Sequence, residues 1–538
     1  MILQINGLSL PSNAIDIRTT KGGIIAKSSH LTLSLPSAPE RYLYSGWQSW
    51  SLTVWVNIDR SIRPMRPRSM HPMQTDPVYA DKLVPNGSWY GAVELSGGRI
   101  IFLGALGLES HVTLNGQSLV GSYEKGEGEW FIATGDENEM MTRYAELLGE
   151  SFGGKRTNSD PRVWCSWYSL YTEINEQNLL KILGDLGSLN STHGFPFDIF
   201  QIDDGWQISI GDWEPNDKFS SGMDRLAAKV KATGRKAGLW LAPLLAVRSS
   251  SIFREHKDWL LHDERGKLVS GGFNWSEPLY ALDTTHPSVL DWLVTLMKKI
   301  RSWGFDYIKL DFLYAGALPG KRFVETPREA AYRNGLKVIR AALGEAYLLT
   351  CGAPILPSIG LCDGIRVGPD VAGHFSSHRD DDLLMNFAIP GARNAIRTTF
   401  NHLWLQPLVK TDPDVVYFGS QQINLTPWQK SMLQDLAQIC NFKASSDIPA
   451  WLTDLERSEL REFLESKPEI RKTGRTAYQI GDHEVDFGPH IGMPSPPSTF
   501  TNFQGAVLGG LANVSILMKV FDKLGKIKLQ NWLKQNPV

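Results

Sequence analysis

The sequence lacks the marks of membrane and nucleic-acid-binding proteins. No apolar run reaches the roughly 18 residues of a membrane-spanning helix, and the N-terminus has neither the basic segment nor the long apolar core of a secretion signal. The 55 lysines and arginines nearly balance the 57 acidic residues, so nothing attracts the chain generally to nucleic acid or to an anionic membrane. We therefore expect neither partner, and a neutral substrate suits the chain.

Cysteine is scarce as well. Cys165, Cys351, Cys362 and Cys440 are far apart and match neither a disulfide framework nor the paired spacing of a zinc site. This pattern favours a reducing cytoplasm as the location and no structural metal. Tryptophan, in contrast, is abundant at 18 residues. Most of these tryptophans are expected in the core, but surplus aromatic rings are also common platforms for sugars.

A change of texture divides the chain into three parts. Up to about residue 150, short β-prone runs alternate with turns such as Asn86-Gly87 and Asn115-Gly116, which predicts an antiparallel β domain over residues 1–150. From residue 160 to 466, apolar strands alternate with helices of period 3.6, which predicts a (β/α)₈ TIM barrel. Residues 467–538 are predicted to form a small C-terminal domain.

The barrel prediction depends on six short apolar strands separated by amphipathic helices. Thr326-Pro327-Arg328-Glu329 has the pattern of a capping box and predicts another helix start. The predicted strands are Val163 to Trp167, Asp198 to Ile202, Ala237 to Leu241, Tyr307 to Leu310, Tyr347 to Thr350 and Gly364 to Val367. For the last two strands we expect the regions His402 to Gln406 and Ile439 to Lys443. Near the C-terminus we expect a helix that docks Leu517, Phe521 and Leu524 on the protein and presents a basic outer face.

Two aspartates at predicted strand ends are the best candidates for catalysis. Asp311 follows the run Tyr307 to Leu310, and Asp370 closes Arg366-Val367-Gly368-Pro369-Asp370. Because a barrel collects the carboxyl ends of its strands at one mouth, both carboxylates are expected to face one site. Paired carboxylates are the nucleophile and the general acid/base of glycosidases, so we predict those roles for Asp311 and Asp370.

Other polar residues follow the same strand ends. Lys309 is two residues before Asp311, so both side chains point to one face, where the lysine would keep a carboxylate ionised. Asp203 and Asp204 are adjacent before a glycine and could accept hydrogen bonds from sugar hydroxyls. A divalent metal is the weaker alternative, although Asp412 and Asp414 leave it open.

Arg366 and the Cys351-Gly352 pair complete the candidate site. An arginine touching Asp370 would lower its pKa, which does not suit an acid, so we expect Arg366 to donate to substrate hydroxyls instead. Cys351 lacks a recognisable histidine partner, which disfavours a nucleophile. We expect Cys351 and Gly352 to form a loop that lets the backbone approach a ligand.

These motifs together resemble glycoside hydrolase family 36, the α-galactosidase group of a retaining clan. Any one marker is weak, but the ordered set over residues 40 to 460 is specific. The markers are Gly46-Trp47-Gln48-Ser49-Trp50, Trp164-Cys165-Ser166-Trp167-Tyr168, Asp203-Asp204-Gly205-Trp206, Gly238-Leu239-Trp240-Leu241-Ala242-Pro243, Lys309-Leu310-Asp311, Cys351-Gly352 and Arg366 to Asp370.

The resemblance implies an N-terminal β-sandwich, a central barrel and a small C-terminal β domain, with retaining hydrolysis of terminal α-galactosides and no metal or organic cofactor. It implies Asp311 as nucleophile, Asp370 as acid/base, and a galactose site that includes Trp47 at its mouth. The further residues that it implies for substrate binding are Trp167, Asp203, Asp204, Trp240, Lys309, Cys351, Gly352 and Arg366. The alternatives are a raffinose-synthase-like transglycosylase, an α-N-acetylgalactosaminidase or a non-catalytic carbohydrate-binding protein, and a homo-oligomer is possible.

Overall fold

The structure, a computed structural model, describes residues 2–58, 71–82, 84–189, 191, 194–375, 388–492 and 515–538. Antiparallel sheets come first, followed by a parallel barrel, a three-stranded sheet and a terminal helix. Among the described residues, no helix is both long and apolar enough to cross a membrane.

The N-terminal part contains two antiparallel sheets that share one core. Inward-facing residues such as Val93 and Leu103 of the larger sheet pack in one cluster with Leu33 and Val112 of the smaller sheet. The larger sheet has the order Ile15–Thr20, Gly23–Ser28, Gly128–Gly135, Ile100–Ala105, Tyr90–Leu95, Pro39–Tyr44 and Val54–Asn57. The smaller has the order His30–Ser34, Ser118–Tyr123, Ser110–Asn115 and Asn86–Ser88, and Ile2–Ile5 pairs with Leu8–Pro11. The predicted antiparallel architecture is confirmed.

Parallel strands then form a TIM-like barrel, as predicted. Their spatial order is Lys410–Asp412, Gly364–Arg366, Tyr347–Thr350, Tyr307–Leu310, Lys236–Leu241, Ile199–Ile202, Arg162–Cys165, Lys443–Ser445 and Val415–Val416. The first and last of these are separated in sequence only by Pro413 and Asp414, so they are two pieces of one strand that closes the ring. The six strands predicted from their apolar runs are present.

The last two strands differ from the prediction. His402 to Gln406 is not a strand, since Leu403–Leu405 form a short 3-10 helix, and the seventh strand lies instead at residues 410–416. The sequence did not indicate this strand, because one lysine, two aspartates and a proline interrupt its apolar pattern. The proline cannot donate a hydrogen bond to the neighbouring strand and splits the strand in two. The eighth strand, Lys443–Ser445, begins where the predicted one ends. Ile439 and Cys440, the first residues of the predicted strand, instead end helix Pro427–Cys440, which Thr426 caps with Gln429.

Helices surround the barrel and bury the predicted apolar faces. In helix Glu176–Asp185, for example, Leu179, Ile182 and Leu183 are buried at positions i, i+3 and i+4. The remaining longer helices of the barrel region are Met223–Ala232, Pro287–Ser302, Arg328–Leu343, Ala392–Phe400, Pro427–Cys440 and Asp454–Glu465, and helix Glu137–Phe152 precedes the first barrel strand.

Helix Arg328–Leu343 starts differently from the prediction. Thr326 and Glu329 do not form a capping box, and Pro327 lies just before the first helical residue. Instead Glu109, which directly precedes strand Ser110–Asn115 of the N-terminal sheets, accepts a hydrogen bond from the backbone N–H of Glu329 at 2.8 Å. The N-terminal region therefore stabilises the positive end of a barrel helix and fixes the two regions against each other.

The C-terminal region contains a small antiparallel sheet and a long helix. Strands Ile470–Lys472, Ala477–Ile480 and His483–Asp486 form the sheet, and helix Ser515–Gln535 ends near the C-terminus. The predicted docking of this helix through Leu524 is wrong, because Leu524 is 56% exposed. The other two residues predicted to dock, Leu517 and Phe521, have side chains outside the described part.

Candidate active site

A cavity of about 930 Å³ opens at the carboxyl ends of the barrel strands. This volume is in the range of small-molecule sites, and the position is the face where barrels place their chemistry. Asp203, Asp204, Lys309, Asp311 and Asp370, all predicted from their strand ends, line it. The predicted aromatic residues Trp167 and Trp240 line it as well.

Asp311 is fixed by two hydrogen bonds. Its Oδ2 accepts from the indole Nε1 of Trp240 at 3.0 Å, and its Oδ1 accepts from the backbone nitrogen of Phe312 at 2.8 Å. Phe312 has a left-handed backbone with φ of +55°, so the chain turns sharply directly after the strand Tyr307–Leu310. These two donors orient the carboxylate, as a nucleophile requires.

Asp370 has a different environment. Its side chain is 32% exposed, and its Oδ1 lies 3.2 Å from Nη1 of Arg366. Removal of water by the surrounding protein raises the pKa of Asp370, and the charges of Arg366 and Lys309 offset this only in part. A carboxyl with a raised pKa suits a general acid.

Arg366 does not face the cavity as predicted for a substrate-binding residue. It lies buried behind Asp370, with Nε 3.2 Å from Asp412 Oδ2 and Nη2 2.7 Å from Asp414 Oδ1. Nη1 also donates to the hydroxyl of Tyr168 at 3.3 Å. Because a buried guanidinium needs partners for its fixed fork of donors, its hydrogen bonds go to protein groups. Asp412 and Asp414, considered as possible metal ligands, hold this arginine.

Asp203 and Asp204 follow strand Ile199–Ile202, which lies across the barrel from strand Gly364–Arg366, the strand before Asp370. Asp203 Oδ2 accepts from Lys309 Nζ at 3.0 Å and from Gln201 Nε2 at 2.6 Å. Lys309 therefore pairs directly with Asp203. The charge of Asp203 raises the pKa of Lys309 more than the charge of Asp311 does. Burial raises the pKa of Asp204, which hydrogen bonds from neighbouring side chains partly offset.

Trp275 is a site residue that the sequence did not indicate. Its indole Nε1 donates to Asp204 Oδ2 at 2.7 Å. Trp275 and Ser276 form the turn between strands Ser270–Asn274 and Glu277–Ala281, with φ of +48° and +59°. Such turns normally contain glycine or asparagine, so the sequence did not indicate this one. Two residues with strained backbones hold the indole against the carboxylate.

Trp47 does not reach the mouth of the cavity, so that prediction is wrong. It is 1% exposed, and its indole donates to Glu329 Oε1 at 3.0 Å. Trp50, three residues later, lines the cavity in its place. A tryptophan in a tight loop can point either way, and the loop between Trp47 and Trp50 turns the second ring inward.

The Cys351-Gly352 pair also lies behind the residues that line the cavity. Cys351 is buried, and a Cβ on Gly352 would come within 2.8 Å of Trp50 Cζ2 and 3.1 Å of the Phe312 nitrogen. Gly352, with φ of +52°, thus allows the ring of Trp50 to approach, where a ligand was expected. Gly352 shapes the site through its neighbours.

The mouth contains further residues that were not predicted. Tyr171 and Thr172 follow the first barrel strand, and part of the terminal helix lies at the rim. Among the described residues, the further lining residues are Trp50, Met73, Gln74, Tyr171, Thr172, Phe273, Asn274, Trp275, Ser276, Phe312, Ala388, Ile389, Pro390, Gln422, Gly525, Lys526, Lys528, Leu529 and Trp532. Within the described part of the chain, no group of three or more His, Cys, Asp or Glu side chains is arranged to hold a metal ion.

Known proteins resemble this chain over different lengths. The family model Melibiase matches residues 127–342. Alpha-galactosidase AgaA of Geobacillus stearothermophilus is 28% identical over 220 residues, which are 38% of this chain and 28% of that protein. Alpha-galactosidase Mel36A of Lactobacillus acidophilus is 31% identical over 185 residues, 32% of this chain and 24% of that protein. The matched part spans less than a third of the length of these two curated relatives.

A solved structure matches much more of the chain. TtGalA, alpha-galactosidase from Thermus thermophilus in complex with p-nitrophenyl alpha-D-galactopyranoside, has a TM-score of 0.86 and 41% identity. This match covers 91% of this chain and 99% of that chain. The structure of TtGalA in complex with stachyose has a TM-score of 0.81 and 42% identity over 86% of this chain. Both matches cover 99% of the solved chain.

Proposed function

Because the chain belongs to the α-galactosidases of glycoside hydrolase family 36, we propose that it hydrolyses terminal non-reducing α-D-galactosyl residues with retention of configuration. One observation carries the proposal. Asp311 and Asp370 line one cavity in contrasting environments: Asp311 accepts two hydrogen bonds, and burial raises the pKa of Asp370. A carboxyl group with a raised pKa and a second one that fixed donors orient are what the acid and nucleophile roles need.

In the first step, a carboxylate oxygen of Asp311 attacks the anomeric carbon of the galactosyl residue. The bond between that carbon and the leaving oxygen breaks, and Asp370 gives its proton to the leaving oxygen. The product is a galactosyl ester on Asp311. Trp240 and the Phe312 nitrogen keep the attacking carboxylate oriented throughout.

In the second step, Asp370, now ionised, takes a proton from water. The water oxygen bonds to the anomeric carbon as the ester bond to Asp311 breaks, which releases galactose in the α configuration. Arg366, held by Asp412 and Asp414, stabilises the ionised form of Asp370 between the two steps.

Asp203 and Asp204 are proposed to bind the hydroxyls of the galactosyl residue. Both carboxylates line the cavity and are oriented by fixed donors, Lys309 on Asp203 and Trp275 on Asp204. Oriented carboxylate oxygens accept strong hydrogen bonds from hydroxyls, which gives specificity for the positions of those hydroxyls on the ring.

Azide distinguishes the two carboxyl roles. With Asp311→Gly and an activated aryl α-galactoside, azide should take the place of the missing nucleophile and produce β-galactosyl azide. With Asp370→Gly, azide should attack the galactosyl-enzyme and produce α-galactosyl azide, because that step needs no general base. Nuclear magnetic resonance of the azide products reports the configuration.

The opposite assignment of products would reverse the two roles, and no azide product from either variant would refute the pair. Transfer to a second sugar, the activity of the transglycosylase alternative, would appear in wild-type reactions as oligosaccharides longer than the substrate. Free galactose as the main product supports hydrolysis.

A further inference from the structure

One face of the terminal helix borders the cavity. Gly525, Lys526, Lys528, Leu529 and Trp532 line it, and apart from Lys526 their positions i, i+3, i+4 and i+7 fall on one side of helix Ser515–Gln535. The helix therefore presents a continuous strip to the cavity, formed by residues more than 150 positions after Asp370.

Several contacts dock this helix on the barrel. The ring of Trp532 packs edge-on against Trp451, with centroids 4.7 Å apart, and Leu533 packs against the main core. Gln530 Nε2 donates to Glu173 Oε2 at 3.2 Å. Glu173 directly follows Thr172, which lines the cavity, so the helix is fixed to the loop that forms the neighbouring part of the rim.

The position of the helix relative to the carboxylates determines what it can contact. A galactosyl residue bound by Asp203 and Asp204 lies at the strand ends, and the barrel interior beneath them is filled with side chains. The leaving group must therefore extend outward, toward the rim. The rim includes Trp167 and Tyr171 from one side and the terminal helix from another.

We propose that the terminal helix forms the leaving-group part of the site and that this part binds a sugar ring, an inference that rests on the proposed function. Trp532 and Leu529 provide half-buried apolar surface for the face of a ring, and the exposed ammonium of Lys528 provides donors for its hydroxyls. This combination suits a neutral, hydroxyl-rich leaving group, so the preferred substrates are oligosaccharides.

Gly525 borders open space at the rim. It lines the cavity, and a Cβ at this position would meet nothing within 4 Å. That space is available for the leaving group.

The test compares two substrates that share galactose and differ in leaving group. Raffinose has a sugar leaving group, whereas the fluoride of α-galactosyl fluoride is too small to reach the rim. The measured quantity is the kcat/KM for raffinose divided by that for α-galactosyl fluoride. We expect this ratio to fall about fivefold in Lys528→Ala and about tenfold in Gly525→Trp, which fills the space.

Ile527→Ala is the matched control, since Ile527 belongs to the same helix, is 44% exposed and lies outside the lining residues. Its ratio should equal that of the wild type. Wild-type ratios in both Lys528→Ala and Gly525→Trp, with both substrates hydrolysed, would overturn this inference alone. A wild-type protein that hydrolyses neither substrate would overturn the proposed function and this inference with it.

Discussion

Replacement of Gly352 by alanine should lower both stability and activity, although Gly352 does not line the cavity itself. The added Cβ would come within 2.8 Å of the Trp50 ring and within 3.1 Å of the Phe312 nitrogen. Trp50 lines the cavity, and the Phe312 nitrogen donates to Asp311. The methyl group therefore displaces an aromatic wall residue and one of the two donors that orient the nucleophile.

The structure gives the size of the effect. Alanine in the left-handed conformation of Gly352 costs about 1–2 kcal/mol, and the overpacking costs about 1–3 kcal/mol, so the free energy of unfolding should fall by about 2–5 kcal/mol. Weakening of the Phe312 hydrogen bond to a charged acceptor, about 1.5 kcal/mol, should lower kcat/KM about tenfold.

Thermal unfolding and the kcat/KM for an aryl α-galactoside measure both parts. Gly116→Ala is the control, since Gly116 has φ of +58° and a Cβ there would meet nothing within 4 Å. It should lose only the conformational part, about 1–2 kcal/mol, and keep wild-type kinetics. A folded Gly352→Ala protein with wild-type kcat/KM would refute the role given to this glycine.

Three further perturbations test other parts of the account. Burial raises the pKa of Asp414 to about 7, and above that pH its negative charge opposes ionisation of Asp370. Asp414→Asn removes this charge, so the basic limb of the kcat/KM pH profile should move to lower pH; an unchanged or higher limb contradicts this. Glu329→Ala leaves three buried N–H donors without their acceptor, and urea unfolding should show a loss of at least about 3 kcal/mol. Trp275→Phe removes the donor to Asp204, so KM for an aryl α-galactoside should rise about tenfold; an unchanged KM would separate Asp204 from substrate binding.

The barrel and its acidic residues were predictable because they follow a simple rule. Asp203 and Asp311 directly follow apolar strands, and parallel strands in a barrel end at one face. Sequence distance is irrelevant to that rule, so the carboxylates could be brought together without a structure. The seventh strand was not predicted, because Lys410, Asp412 and Pro413 interrupt its apolar pattern.

The orientation of side chains around the residues that line the cavity could not be predicted. Sequence does not specify which of two tryptophans in a loop faces a cavity, so Trp47 was expected where Trp50 lies. Arg366 was expected to contact substrate, because nothing in the sequence indicates that Asp412 and Asp414 enclose it. The terminal helix was recognised as a helix, but its contact with the cavity depends on long-range docking through Trp451 and Trp532.

The central claim is retaining hydrolysis by Asp311 and Asp370, and the anomer released first tests it most directly. Proton nuclear magnetic resonance of the wild type with an aryl α-galactoside, followed from the start of the reaction, should show α-galactose before mutarotation, and Asp311→Asn should show none. Initial release of β-galactose would contradict the double displacement, since a single inversion would then describe the reaction.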